Sequence, residues 1–274
     1  MLTATFCHIP GIGYATERKL WAQQILSWND LLLCPHIVPR LSSHEIRCRI
    51  EDSIEALSDN PAFFTRTLKR RDSWRLFPHF REKTAYLDIE TTGLGWDAEI
   101  TTITLYDGYQ VRAYINGKNL QTFIDDIEDY QVLVTYNGLI FDIPCIERFF
   151  TTRIRQAQID LRYVLGALGC RGGLKGCERF FGINRALLDG VDGAGAVILW
   201  QEYQQYKSEA ALETLLAYNR EDTVNLERLL VEAYNRNIDQ TPFRNDGFLP
   251  LPEPPPPVCH PDHAIINRIR RRYG

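Results

Sequence analysis

Apolar and polar positions alternate most clearly in the middle of the chain. Ala85–Ile89 reads as a strand, Ile100–Leu105 (ITTITL) alternates apolar residues with threonine, and Gln110–Ile115 (QVRAYI) alternates again after the turn YDGY at 106–109. Three short strands in succession, with Asp107–Gly108 at one turn, predict an antiparallel meander. Leu120–Ile127 then reads as a helix, Val132–Thr135 as a short buried strand, Pro144–Phe150 as a helix opened by proline, and Ala157–Leu161 as another strand. Ala210–Tyr234 is the longest helical pattern, with Leu212, Leu215, Leu216, Val224, Leu226, Leu229 and Leu230 mostly at helical spacing. Strands first, then strand–helix alternation, then a long helix predict an α/β fold, a mixed sheet covered by helices.

The flanks differ from this middle part, so three regions are expected: 1–84, 85–236 and 237–274. The first is helical in pattern. Cys7–Gly13 (CHIPGIG) forms a glycine-containing turn before a helical stretch, Thr16–Leu26, and Ser27–Leu32 (SWNDLL) reads as a capped short helix. The last contains LPLPEPPPPV, whose prolines preclude a regular helix and favour extended chain, followed by a short basic tail, HAIINRIRRRYG.

Composition narrows the class. With 274 residues, 45% hydrophobic and 24% charged, the chain can bury a sizeable core and matches ordinary globular proteins. No apolar run approaches the ~18 residues of a membrane span, and MLTATFCHIPGIG lacks the basic and apolar regions of a secretory signal. The seven cysteines are scattered with no C-x-x-C pair, which argues against a disulfide framework and a cysteine zinc site. A cytoplasmic location is the expectation. The net charge of −4 divides unevenly: residues 1–84 carry 12 Lys/Arg against 9 Asp/Glu, the remainder 19 against 26. An acidic domain is unlike a purely electrostatic nucleic-acid binder. It suits an enzyme whose carboxylates hold divalent cations, because bound metal reverses the local charge.

Three segments carry candidate chemistry. In Tyr86-Leu87-Asp88-Ile89-Glu90-Thr91-Thr92-Gly93, strand alternation puts Asp88 and Glu90 on one face and Leu87 and Ile89 on the other, buried one. Two carboxylates side by side repel unless a cation sits between them, and oxygen ligands suit Mg²⁺ or Mn²⁺. In Tyr136-Asn137-Gly138-Leu139-Ile140-Phe141-Asp142-Ile143-Pro144, an apolar strand runs into an Asn-Gly turn, and Asp142 precedes the proline that opens a helix, where helix capping is its simplest role. In Tyr218-Asn219-Arg220-Glu221-Asp222, Tyr218 and Asp222 lie one helical turn apart on one face; on spacing alone Glu221 competes with Asp222 as a ligand.

DIETTG, NGLIFD and YNRED, in this order and spacing, resemble the three exonuclease motifs of the DEDDy class of 3′→5′ exonucleases, which includes the proofreading domains of DNA polymerases. The nearer resemblance is to the YprB-type ribonuclease-H-like domain, supported by WRLFPHFREKTAYLDIETTGL, GLKGCERFFGI, AVILWQEY and LLAYNREDTVNL across residues ~74–234. It implies a ribonuclease-H-like mixed sheet, phosphodiester hydrolysis with two divalent cations, Mg²⁺ or Mn²⁺, and a site of Asp88, Glu90, Asp142, Tyr218 and Asp222. By resemblance Asp88 would bridge both metals, Glu90 and Asp222 would ligate the one that activates water, and Asp142 would support the second. Tyr218 would hydrogen-bond the attacking water and the scissile phosphate, orienting rather than deprotonating, since a phenol near pKa ~10 is a poor base.

Nucleic acid, with DNA favoured, is the expected partner, and no membrane is expected. The turn before Thr16–Leu26 resembles a helix–hairpin–helix, in which Gly11 and Gly13 would let backbone N–H groups approach a phosphate, with Arg18 and Lys19 nearby. Asn137 and Lys175 are further candidates for substrate contact, each with an alternative role as a turn residue or part of a glycine-rich turn. Asp160 fits a supporting or capping role. The basic runs Lys69-Arg70-Arg71 and Arg268, Arg270, Arg271, Arg272 suit a phosphate backbone or a solvated face. Cys259, His260 and His263 lack a fourth ligand for a metal site. Two competing readings share the fold: a non-cleaving nucleic-acid-binding module and an endonuclease.

Overall fold

The structure, a computed structural model, describes residues 1–38, 41–185, 188 and 191–273. At its centre is a five-stranded sheet in the order β3-β2-β1-β4-β5, formed by β1 Thr84–Thr91, β2 Ile100–Tyr106, β3 Val111–Ile115, β4 Val132–Thr135 and β5 Ala157–Asp160. The pairs β1–β2 and β2–β3 are antiparallel, forming the expected meander, while β4 joins β1, and β5 joins β4, in parallel. Parallel neighbours need crossovers.

In chain order the helices are α1 Tyr14–Ala22, α2 Trp28–Leu33, α3 Ser43–Asp59, α4 Pro61–Thr67, α5 Phe77–Phe80, α6 Phe123–Ile127, α7 Asp142–Phe150, α8 Leu161–Ala167, α9 Gly173–Phe180, α10 Gly193–Tyr206, α11 Glu209–Ile238, α12 Arg244–Gly247 and α13 His263–Tyr273. A 3₁₀ segment, Arg70–Leu76, connects α4 to α5.

Alternation along β1 sorts its side chains as expected. Ala85, Leu87 and Ile89 pack with Ile103, Leu105, Phe123, Ile127, Ile143 and Ile146 on the face covered by α6 and α7. On the other face Tyr86, Val132, Val134 and Ile159 join Val224, Leu226 and Leu230 of α11, and the same cluster takes in Phe6, Ile9, Phe64, Trp74 and Phe77. One apolar core therefore runs across residue 84.

Some elements differ from the sequence expectation. The helix expected over Thr16–Leu26 ends at Ala22, because Gln24 turns left-handed (φ 63°) and the Ile25 N–H returns to the Leu20 carbonyl at 3.0 Å, burying Ile25. The stretch Leu120–Ile127 divides into a 3₁₀ turn, Leu120–Thr122, and α6. A 3₁₀ turn, Leu2–Ala4, precedes the turn at Gly11–Gly13. Ser27 caps α2 through the Asp30 N–H, as expected.

The C-terminal residues fold back on the body. Asn235 pairs its side chain with both backbone groups of Leu249 at 2.8 Å, and Arg220 bonds the Pro255 carbonyl. Beyond the prolines, α13 buries Ile265, Ile266 and Ile269 against Leu199 and Trp200 of α10. The Arg272 side chain lies outside the described residues.

Candidate metal and catalytic site

Asp88 and Glu90 stand opposite Thr104 and Thr102 of β2, on the face that α11 crosses. Asn219 of α11 is fully buried between them. Its amide nitrogen donates to Asp88 Oδ2 at 2.7 Å, and its amide oxygen accepts from the Thr102 and Thr104 hydroxyls at 3.1 and 2.7 Å. The threonines fix the amide, and the amide fixes Asp88. Three residues further along α11, Asp222 completes the group: carboxylate oxygens of Asp88, Glu90 and Asp222 all lie within 4.8 Å of one another. Glu221 instead turns to Arg220 and Asn225.

Asp142 sits beside this trio. It is the first residue of α7 and makes no side-chain cap there; its Oδ1 accepts the Ile89 N–H at 3.3 Å, on the backbone between Asp88 and Glu90. The loop that delivers it is pinned from β5. Asp160 accepts the N–H groups of Asn137, Leu139 and Arg162 at 2.8, 3.2 and 3.0 Å, and also caps α8. Asn137 adopts a left-handed conformation (φ 68°), and its side-chain oxygen accepts from the Arg162 guanidinium. A Cβ at Gly138 would meet Thr135 Oγ1 at 2.3 Å, so only glycine fits this turn.

Tyr218 is buried one turn before Asp222, with two cations against its ring: Lys175 Nζ lies 5.1 Å and the Arg185 guanidinium 5.9 Å from the centroid. Lys175, on α9, also donates to the Val191 carbonyl. Arg185 is buried, holds Glu178 through two bonds (2.5 and 2.7 Å) and touches Asp222; Asn225 adds a bond to Glu178 at 2.8 Å. Sequence reasoning missed Asn219, Glu178 and Arg185. Asn219 lies inside the YNRED segment, where only the tyrosine and the acids drew notice, and no periodicity marks Glu178 or Arg185.

Burial pushes the Asp88 and Glu90 carboxyls well above the ordinary carboxylate range, and the neighbouring acids, Asp222 first, push them further. Asp142 is raised to about 7 by burial, against backbone N–H bonds that lower it. Burial also raises Tyr218, then Asp222 and Glu90 add to it, and burial lowers Lys175. Arg185 is balanced by Glu178, so Lys175 is left as the cation whose charge reaches Glu90 and Asp222. Oxygen donors with excess negative charge form the set that Mg²⁺ or Mn²⁺ takes, and these residues fit such ions.

The other candidates lie apart. Gly11 (φ 93°) and Gly13, the N-cap of α1, belong to the N-terminal turn, and Arg18 and Lys19 are exposed on α1. Among the described residues no hydrogen bond or ion pair joins these four to the carboxylates. After β1, Leu94 and Trp96 stand 90% and 86% exposed in the loop that leaves the site.

Residues 85–234 match the family model described as the RNase_H superfamily. A solved structure of the family B DNA polymerase from the hyperthermophilic archaeon Pyrobaculum calidifontis is similar over 57% of this chain and 24% of its own, with a TM-score of 0.43 and 14% identity. The chain thus spans about a quarter of that polymerase's length. No curated protein matches the chain. Among the described residues no helix is long and apolar enough to cross a membrane.

Proposed function

The chain belongs to the RNase_H superfamily, and from that premise we propose that the cluster on β1 and α11 is the active site of a divalent-metal-dependent 3′→5′ exonuclease of the DEDDy class and YprB type. The observation that carries this is the convergence of Asp88, Glu90 and Asp222 within 4.8 Å, with Tyr218 one helical turn from Asp222. Asp88, Glu90, Asp142 and Asp222 would hold two cations, Mg²⁺ or Mn²⁺. Bound there, the cations supply Lewis-acid activation of water and neutralise charge on the leaving oxygen.

The chain's own residues do the rest. Asn219 holds Asp88 turned toward the site. Burial keeps the Tyr218 phenol protonated, so it donates its O–H to the water or the scissile phosphate and takes no proton. Lys175, next to Tyr218, offers a positive charge to a phosphate oxygen. Asn137, fixed by Asp160 and Arg162, lines the approach to Asp142. DNA is the favoured polymer: the turn at Gly11 and Gly13, with Arg18 and Lys19, would contact a phosphate without reading sequence, as a helix–hairpin–helix does. Residues 85–236 form the catalytic region in this reading, with 1–84 the nucleic-acid-binding addition.

The test is incubation with 5′-labelled single-stranded DNA and, separately, RNA, in Mn²⁺, Mg²⁺ or EDTA, beside an Asp88→Ala/Glu90→Ala variant. A ladder shortening from the 3′ end, dependent on metal and lost in the variant, is expected. Internal cuts would point to an endonuclease. Binding without any cleavage would leave a non-cleaving module.

A further inference from the structure

Positive charge gathers at the β5 edge of the sheet. A cavity of about 320 Å³ there is lined by Arg66, Lys69, Arg70 and Arg155, together with Leu139 and Gln158. Its lining holds no carboxylate, in a chain whose net charge is −4. Among the described residues none of the four cations forms an ion pair, whereas Arg49, Arg75, Arg81 and Arg112 all do. Two are held by aromatic rings, which leave the charge available. Arg70 lies over Tyr163 at 5.0 Å and donates to its hydroxyl at 2.8 Å, and Lys69 lies over Tyr14 at 5.0 Å. Like charges brought together without counter-charges destabilise the fold modestly and create a field that attracts a polyanion.

The cleft is also joined to the carboxylate site. Helix α4 and the 3₁₀ segment pack on β5. Leu139, on the cleft wall, lies in the loop that delivers Asp142, and Asp160 at the end of β5 holds that loop in place. The cleft and the carboxylate site thus share one loop, which gives Leu139 to the first and Asp142 to the second.

We propose that this cleft binds the sugar–phosphate backbone of a single nucleic-acid strand, several nucleotides from the bond that is cut. The identity of the occupant rests on the nuclease reading; the affinity for a polyanion rests on the cleft. Recognition is independent of base sequence, because the lining offers point charges and guanidinium groups to phosphate oxygens.

The experiment measures fluorescence anisotropy of labelled oligothymidylate on the full chain in EDTA, across a salt series, for wild type and Arg66→Ala/Arg155→Ala. The expected result is affinity weaker by roughly tenfold near 0.1 M salt, and a log–log salt slope shallower by ~1.4, at ~0.7 per lost single-strand phosphate contact. Arg66→Lys/Arg155→Lys should restore most of the binding, and Arg47→Ala/Arg49→Ala on α3 should bind like wild type. Unchanged affinity and slope in the cleft variant would overturn the proposal. So would an equal loss in the α3 variant, which would make net charge alone responsible, or tighter cleft-dependent binding to phosphatidylserine vesicles than to oligothymidylate. Cleft-dependent strand binding by a wild type that cuts nothing in Mn²⁺ would retire the nuclease reading and uphold the cleft.

Discussion

Arg185 touches a carboxylate of the candidate metal site while Glu178 balances its charge. The two should therefore act on metal binding with opposite signs. Arg185→Gln removes a cation beside Asp222 and should tighten Mn²⁺ binding in calorimetric titration. Glu178→Gln leaves that cation uncompensated and should weaken it. A shift in the same direction for both would reduce the pair to packing. A proton is also held at this site. With Asp142 raised to about 7 from an ordinary 3.8, the folded protein keeps a proton that the unfolded chain has already lost. That stability is full below pH ~4 and is lost as pH rises through 7. In EDTA the melting temperature should fall from pH 5 to pH 8, Asp142→Asn should lessen that fall while the raised Asp88 and Glu90 carboxyls keep the rest, and Mn²⁺, by replacing the protons, should offset it. Much at this scale was legible in the chain. Period two along β1 and the one-turn spacing on α11 fix which way Asp88, Glu90, Tyr218 and Asp222 face. Asn219, Glu178 and Arg185 act through partners far away in sequence, and no local pattern reports such partners.

The strands and α11 were readable because each carries its own periodicity. Boundaries set by tertiary contacts were not. Gln24 stops α1 because Ile25 must turn inward to be buried, which the helical spacing of Thr16–Leu26 does not reveal. The basic tail gave only its charge, yet Ile265, Ile266 and Ile269 dock it on α10 as α13. At the start of the chain, Glu17 of α1 organises the glycine turn: its carboxylate accepts the Phe6 and Cys7 N–H groups at 2.7 and 3.0 Å and pairs twice with buried Arg75 at 2.9 Å. Glu17→Ala would strand the Arg75 guanidinium in the core, a loss expected to cost about 3–5 kcal/mol in urea unfolding. A change below ~1 kcal/mol would show that the charge finds water.

At the scale of the molecule, the expected regions 1–84 and 85–236 share the apolar cluster that joins Phe64 and Trp74 to Val134 and Ile159. Close-packed interiors transmit position with little give, so the basic edge and the carboxylates cannot drift relative to each other. A rigid separation of this kind is a ruler. On the proposed activity, a strand shortened from one end would hold both places until it no longer reaches, and would then lose the distant one in a single step. Digestion of a long oligonucleotide should therefore run quickly to one residual length and slow abruptly there, whatever the sequence. In Arg66→Ala/Arg155→Ala the pause should vanish, leaving a uniformly slower ladder, and a wild-type ladder with no preferred length would mean that the two places never act on one strand together.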